Sequence, residues 1–273
     1  MTRVAGVIGW PAAHSLSPAI HNAAFAAAGM DWVYGTFEVA PGRATAALDA
    51  LRTLGLGGLS VTTPHKEDVA GALDELSATA SALGAVNTVV VDGDRLVGHN
   101  TDGDGFVAAL AAAAVDVADA AVALLGAGAA ARGLVDALGR AGASTIAVVN
   151  RNADRAARAA ELAAAAYVGT PHDVPGAALV VNATSVGMGT AEAPLDVSLL
   201  RPDQVVADVV YHPLDTALLV AARRAGCRTV DGLAMLVHQA VLQQELWTGQ
   251  RPDPVLLRAA ADTELTRRET ATQ

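Results

Sequence analysis

The sequence predicts an α/β protein built as two units in series, each with a mostly parallel sheet. Three observations carry that prediction. Short apolar runs of strand type alternate with amphipathic or alanine-rich helical stretches along the chain. Strands that alternate with helices imply crossover connections and hence parallel pairing. The alternation is interrupted by one polar turn, Asp102-Gly103-Asp104-Gly105. A second series then opens on the turn Gly126-Ala127-Gly128-Ala129-Ala130-Ala131, set between a strand signal and a helix signal. A length of 273 residues suits one large domain or two small ones.

In the first series, residues 4–8 form a short apolar strand. Ser17-Pro18 has the form of an N-cap followed by proline at the first helical position, and Gly29 closes that helix. Residues 34–39 alternate like a strand, 43–54 are an amphipathic helix ended by Gly55, and 59–61 are a strand. Thr63-Pro64 repeats the cap-and-proline pattern and predicts a helix through Leu73. Strands over 86–91 and 95–98 flank Asp92-Gly93, a hairpin signal that would add an antiparallel edge. A helix is expected over 105–114.

In the second series, 121–125 is a buried strand before the glycine turn. A helix runs to Arg140 and stops at Gly142, 145–149 is a strand, and 153–166 is a helix. Strands follow at 179–182, 205–209 and 228–230. Helices over 233–248 and, past Pro252 and Pro254, to about Arg267 come after the second sheet is complete, and the polar tail is expected to fray. A parallel sheet must be covered on both faces. The C-terminal helices, about 236–273, are therefore expected to pack back on the first domain, 1–103, leaving 104–235 as the second.

Composition excludes several function classes. Lys and Arg total 18 against 28 Asp and Glu, a formal charge of −10. So acidic a chain is a poor nucleic-acid binder, because phosphate contacts need basic surface. Apolar residues at 52% and charged residues at 17% support a buried core and argue against disorder. Aromatics at 3% disfavour stacking platforms. The lone Cys227 permits neither an internal disulfide nor a cysteine-based zinc site, and no metal is expected. No basic segment precedes an apolar stretch at the start, and no charge-free apolar run reaches membrane-spanning length. A cytoplasmic protein without membrane or nucleic-acid partners is expected.

The glycine turn has the G-x-G-x-x-A form at Gly126, Gly128 and Ala131. Between a strand and a helix this form suits a dinucleotide: Gly126 permits the tight turn and Gly128 the approach of a pyrophosphate. The helix start would then offer free N–H groups to the phosphates. After the next strand an NAD-preferring fold places an acid for the ribose 2′-hydroxyl. Here the chain has Asn150, Arg151 and Arg155 instead. Two guanidinium groups suit a 2′-phosphate, so NADP(H) is the expected cofactor.

Lys66 is the only lysine in an arginine-rich chain. Arginine stays protonated at any useful pH, whereas lysine can lose its proton. Lys66 closes one of four polar sets at predicted strand ends or helix starts: 14–18, 60–66, 85–88 and 99–102. Loops at strand C-terminal ends converge on one crevice in such a sheet. Hydroxyls, an amide, an ammonium and a carboxylate together suit a polyhydroxylated, anionic small molecule. If Thr63 caps its helix, Lys66 sits in the first turn, where the dipole disfavours the ammonium and Asp102 would oppose that effect.

These motifs resemble the shikimate dehydrogenase family over nearly the whole chain. The matching segments are Ile8-Gly9-Trp10-Pro11, His14-Ser15-Leu16-Ser17-Pro18, Ser60-Val61-Thr62-Thr63-Pro64-His65-Lys66, Gly84-Ala85-Val86-Asn87-Thr88 and His99-Asn100-Thr101-Asp102. The glycine turn, Asn150-Arg151, Asn182-Ala183-Thr184-Ser185-Val186-Gly187-Met188, Asp208-Val209-Val210-Tyr211 and Met235-Leu236-Val237-His238-Gln239 extend the match. The resemblance implies a substrate domain followed by a Rossmann-like NADP-binding domain. It also implies reversible reduction of 3-dehydroshikimate to shikimate by NADPH, on the route to chorismate and the aromatic amino acids.

Carried over by position, Lys66 and Asp102 would be the catalytic pair. Ser15, Ser17, Thr62, Asn87, Tyr211 and Gln239 would bind substrate. Gly126, Ala127, Gly128, Ala129, Ala130, Asn150, Arg151 and Arg155 would bind NADP, with Val209 and Gly232 lining the nicotinamide. Ser60 stands where the family often has Asn, Asn152 where Thr is common, and Ala78 where many members are polar. Quinate or aminoshikimate dehydrogenase on the same scaffold, an NAD-specific enzyme, and a non-catalytic NADP-binding sensor are the competing readings. The last would need neither Lys66 nor Asp102. Assembly is left open, a homodimer included.

Overall fold

In a computed structural model, which describes residues 2–271, the chain divides into two compact units. The first comprises the chain up to Thr101 and from Val237 onward, the second Asp102–Leu236. No helix among the described residues is long and apolar enough to cross a membrane.

The first unit holds six strands: β1 Arg3–Gly9, β2 Trp32–Glu38, β3 Gly58–Val61, β4 Glu75–Leu76, β5 Thr88–Asp92 and β6 Arg95–His99. They lie in the order β2-β1-β3-β5-β6-β4. β1 is parallel to β2 and β3, β4 is parallel to β6, and β5 runs antiparallel to both β3 and β6. Strand side chains alternate between faces, and the two cores follow that alternation. Ile8, Leu59 and Val61 pack with Leu48 and Leu51 of helix α2, Ala44–Leu54. Ala5, Val7 and Tyr34 pack on the other face with Phe25 of helix α1, Ser17–Ala27, and with Trp247. Helix α2 ends as expected at Gly55, which takes the left-handed conformation, φ 63°, that a side chain resists.

Several local expectations need correction here. Leu16, not Ser17, is the N-cap of α1, and Ser17 is already helical. Thr63-Pro64 falls in a turn closed by the His65 N–H on the Thr62 carbonyl, 3.0 Å, so helix α3 covers only Lys66–Ala70. The chain beyond is drawn into the sheet: Asp74 Oδ2 accepts the Leu96 N–H at 2.6 Å and β4 pairs with β6. The hairpin loop is Gly93-Asp94, because Asp92 pairs with Arg95, and the two-residue β4 lies outside the hairpin as the sheet edge. Glycine at the first loop position, φ 59°, supplies the positive φ that such a hairpin needs. Helix α4, Ala78–Leu83, adds to the expected elements; Ser77 Oγ caps it by accepting the Ala80 N–H at 3.2 Å.

The second unit holds β7 Ala121–Leu125, β8 Thr145–Val149, β9 Ala166–Gly169, β10 Leu179–Asn182, β11 Val205–Asp208 and β12 Arg228–Val230. All pair in parallel, in the order β12-β11-β10-β7-β8-β9. The chain winds outward from β7 in one direction, returns, and continues from β10 in the other. That is the order of a Rossmann dinucleotide-binding sheet, with its switch point between β7 and β10. Helices α5 Asp102–Ala112, α6 Ala129–Arg140, α7 Ala153–Ala160 and α8 Ala217–Arg224 belong to this unit. Leu124 packs with Phe106, Leu110, Leu134 and Leu138 on one face; Ala123, Leu125 and Val206 pack with Leu218 and Leu219 on the other. Helices α5 and α6 touch backbone to backbone, for a Cβ on Gly103 would lie 2.2 Å from the Gly133 carbonyl oxygen.

The helix expected over 153–166 ends at Ala160, because Ala166 and its successors pair with β8 as β9. Alanine propensity is worth a fraction of a kcal/mol per residue, and sheet pairing overrides it. Helix α5 begins at Asp102, three residues before the expected start, and α8 is a further addition to the expected elements. Helix α9, Gly232–Thr248, starts in the second unit and ends in the first. Helix α10, Pro254–Ala271, continues past Arg267, where fraying is expected from the sequence; residues 272 and 273 lie outside the described residues.

Candidate active site

In the first unit β1, β3 and β6 run in one direction, so their C-terminal ends share an edge with the start of antiparallel β5. The loops carrying Ser15 and Ser17, Thr62 and Lys66, Asn87, and Thr101 therefore gather at that edge. Ser15 Oγ donates to Ser17 Oγ at 3.1 Å and accepts the Ser17 N–H at 3.2 Å, and both residues are buried. Their loop is pinned from two sides. Glu38 accepts the N–H groups of Ala12 and Ala13, each at 3.2 Å. Arg268 of α10 donates to the carbonyls of His14 at 2.6 Å and Ser15 at 3.0 Å.

Asn87 is fixed by its backbone and its amide. Its carbonyl accepts the Val61 N–H at 2.8 Å, and its own N–H donates to His99 O at 3.0 Å. Its Oδ1 accepts the Thr101 N–H at 2.9 Å and the Thr88 hydroxyl at 2.7 Å, while Nδ2 donates to Thr101 Oγ1 at 2.9 Å. Lys66 is half-buried and opens α3, and its carbonyl accepts the Val86 N–H at 2.9 Å, which sets it beside Asn87. A five-residue helix has little macrodipole, so the dipole argument for its amine falls away. Thr62 is half-buried and Gln239 buried, with the Gln239 carbonyl accepting from Thr101 Oγ1 at 3.3 Å.

Beneath this edge lies a buried polar network. Tyr34 Oη donates to Ser60 Oγ at 2.6 Å, Ser60 donates to Gln243 Oε1 at 2.7 Å, and Gln243 Nε2 donates to the Asn87 carbonyl at 3.2 Å. Burial pushes the Tyr34 phenol pKa up, against hydrogen bonds to Ser60 and Ser17. Ser60, the departure from the usual Asn, thus has its hydroxyl committed to Tyr34 and Gln243. His21 stacks on Tyr34 with ring centroids 4.4 Å apart and bonds Gln244 Oε1 through Nδ1 at 3.3 Å. Buried His65 donates its Nε2–H to the Val39 carbonyl at 2.6 Å. Sequence reasoning missed Tyr34, His21, Gln243, Gln244 and Arg268 in these roles. One signal was present: Gln243 follows Gln239 by one helical repeat, with only the apolar Ala240, Val241 and Leu242 between them.

The second unit carries the predicted cofactor residues and Asp102, Val209, Tyr211 and Gly232. Lys66 and Asp102 thus belong to different units, as do the predicted substrate residue Tyr211 and the other five. Gly126 follows β7 at φ 114°, and a Cβ there would lie 3.0 Å from both the Ala183 carbonyl oxygen and Thr184 Cγ2. Gly128 is the N-cap of α6, and a Cβ on it would meet nothing within 4 Å. This open, side-chain-free helix start, with Ala127, Ala129 and Ala130 beside it, fits a pyrophosphate. Past β8, Asn150 Nδ2 donates to the Asn152 carbonyl at 2.9 Å. Asn152 Oδ1 caps α7 by accepting the Arg155 N–H at 2.9 Å, a role that a Thr hydroxyl also fills. Arg151 and Arg155 are exposed, as a 2′-phosphate site requires. Val209 and Tyr211 are half-buried; Asp102 is buried at the first position of α5. A Cβ on Gly232 would lie 2.5 Å from the Val210 carbonyl oxygen, so glycine lets α9 start against that backbone.

A Rossmann sheet with a glycine turn at its switch point, joined to an α/β unit with a hydroxyl- and amine-bearing edge, defines a dinucleotide-dependent oxidoreductase. Comparison with known proteins makes this specific. The shikimate dehydrogenase substrate binding domain matches residues 7–89, shikimate / quinate 5-dehydrogenase matches 109–174, and the shikimate 5'-dehydrogenase C-terminal domain matches 232–261. The shikimate dehydrogenase (NADP(+)) of Geobacter metallireducens is 45% identical over 271 residues, 94% of this chain and 95% of that protein. The structure of shikimate 5-dehydrogenase from Thermus thermophilus in complex with NADP(H) and shikimate has a TM-score of 0.90 at 36% identity, covering 96% of this chain and 99% of that one. Quinate dehydrogenase from Corynebacterium glutamicum in complex with NAD has a TM-score of 0.88 at 36% identity, covering 95% and 98%. The chain belongs to the shikimate dehydrogenase family.

Proposed function

We propose that this chain catalyses the reversible, NADPH-dependent reduction of 3-dehydroshikimate to shikimate. The single observation that carries the reading is its 45% identity, over 94% of its length, with an NADP(+) shikimate dehydrogenase. Asn150, Arg151 and Arg155, in place of an acid after β8, support NADP as the dinucleotide.

Bound NADPH supplies the hydride that reduces the ketone carbon. The chain's residues do the rest. Ser15 and Ser17 hold the substrate carboxylate through their hydroxyls, and Thr62, Asn87, Tyr211 and Gln239 bind the carboxylate or the ring hydroxyls. Lys66 Nζ donates a proton to the carbonyl oxygen as negative charge develops there, and Asp102 is the second member of the catalytic pair. In the reverse direction Lys66 takes the hydroxyl proton. A positioned acid of this kind contributes roughly 10²–10⁴-fold. Alignment of the two reactants contributes further. A cytoplasmic location is part of this reading.

The test is a matrix of initial rates, with shikimate and quinate each against NADP+ and NAD+, followed by absorbance of the reduced cofactor. Shikimate with NADP+ is expected to give the highest kcat/KM. A higher value for quinate would transfer the assignment to that substrate, and no turnover with any pair would leave a dinucleotide-binding sensor.

A further inference from the structure

Asp208 closes β11 in register with Asn182, which closes β10. Both side chains are buried. Asp208 Oδ1 accepts from Asn182 Nδ2 at 2.9 Å and from the Val210 N–H at 3.0 Å, while Oδ2 accepts from the Thr216 hydroxyl at 2.8 Å. Each partner fixes a further piece of backbone. Asn182 Oδ1 accepts the Thr184 N–H at 3.0 Å and the Thr184 hydroxyl at 2.7 Å, and its Nδ2 also donates to the Val186 carbonyl at 3.1 Å. Thr216 Oγ1 caps α8 by accepting the Leu219 N–H at 3.2 Å. One carboxylate therefore ties the loop after β10, the loop after β11 and the start of α8 into a single knot.

The proton-transfer chemistry described above makes no use of this carboxylate. Burying a charge is unfavourable unless hydrogen bonds compensate it. Burial here raises the Asp208 pKa, and its three donors work against that. Only an ionised carboxylate can accept from three donors on two oxygens without donating in return. The knot also abuts the dinucleotide turn. The Ala183 carbonyl oxygen and Thr184 Cγ2 sit where a Cβ on Gly126 would be only 3.0 Å away, and the Val210 carbonyl oxygen would lie 2.5 Å from a Cβ on Gly232.

We propose that Asp208 is a positioning residue of the dinucleotide site. Through Asn182 and the Val210 N–H it sets the 183–186 loop and the backbone that carries Val209 and Tyr211, on the nicotinamide side of the site, and leaves the glycine turn's own hold on the adenosine phosphates unchanged. The inference rests on the reading that this unit binds NADP, and it assigns Asp208 no contact with the cofactor.

The test uses the full chain with D208A and D208N. Calorimetric titration measures binding of NADP+ and of adenosine 2′,5′-bisphosphate, which carries the phosphorylated adenosine half and lacks the nicotinamide. D208A is expected to weaken NADP+ about tenfold, the equivalent of one charged hydrogen bond, and the bisphosphate less than about twofold. D208N keeps acceptors for Asn182 and Val210 but turns an amide toward the Thr216 hydroxyl, so its loss should be intermediate. Should D208A fail to fold, the D208N ratio of the two ligands decides. Unchanged NADP+ binding in the folded variants, or a parallel loss for both ligands, would overturn the proposal. A wild-type chain that binds neither ligand would overturn the NADP reading, and this inference with it.

Discussion

Tyr34 Oη donates to Ser60 Oγ at 2.6 Å because the sheet brings both side chains to one face. Tyr34 pairs with Ala5 and Ser60 with Val7, two positions apart on β1. Tyr34→Phe removes one donor and leaves Ser60 bonded to Gln243, so it should cost about 1 kcal/mol. Ser60→Ala breaks two buried hydrogen bonds at once, the one from Tyr34 and the one to Gln243, and should cost about 2–3 kcal/mol. Urea unfolding of the two variants checks the order, and a smaller loss for Ser60→Ala would show that the network does not depend on its central hydroxyl.

The two glycines of the dinucleotide turn should respond differently to alanine. Gly126 combines φ 114° with close neighbours, so Gly126→Ala is expected to lower stability by about 1–3 kcal/mol. Gly128 has φ −81° and open space, so Gly128→Ala should fold with unchanged Tm. Its added methyl would stand where the pyrophosphate approaches, and KM for NADP+ should rise about tenfold or more. Thermal melts and cofactor titrations separate the two effects; normal KM in Gly128→Ala would mean that the phosphates do not pass there.

Lys66→Ala is expected to lower kcat about 10²–10⁴-fold and to change KM for shikimate only a few-fold. Asp102→Asn should reduce kcat as well, with KM for shikimate again changed only a few-fold. Equal effects of Lys66→Ala on kcat and KM, or a profile of unchanged shape in Lys66→Met, would assign the amine to binding alone.

Acid sensitivity should trace in part to His21. Burial lowers its pKa from 6.5 to about 4, against hydrogen bonds to Gln244 and Gln243. Between those values the unfolded chain binds a proton that the folded chain refuses. Stability is therefore complete above pH 6.5 and is lost as the pH falls toward about 4, by on the order of 3 kcal/mol. His99 and His238 are also lowered by burial and act with the same sign. His21→Gln should flatten the dependence of the urea midpoint on pH across that window. A slope equal to wild type would remove His21 from the account.

Local chemistry made much of this molecule legible in its sequence. The strand at 121–125 and the left-handed helix end at Gly55 follow from apolar runs and a glycine stop. The lone lysine and the G-x-G-x-x-A turn stand out by residue type alone. These signals act within a few residues, where propensity and periodicity operate. Ser17 and Thr63 have the local form of helix caps, yet Leu16 takes the first cap position and His65 the second once neighbouring loops are in place.

What the sequence by itself determined was the alternation of strand and helix, the glycine turn and the presence of residue types suited to proton transfer and anion binding. Tertiary structure alone decided that α7 stops so that β9 can pair, that Arg268 clamps the serine loop, and that Ser60 meets a glutamine 183 residues away. Such contacts depend on which buried groups must find partners after the sheet closes. That requirement acts through space, and no short window of residues contains it.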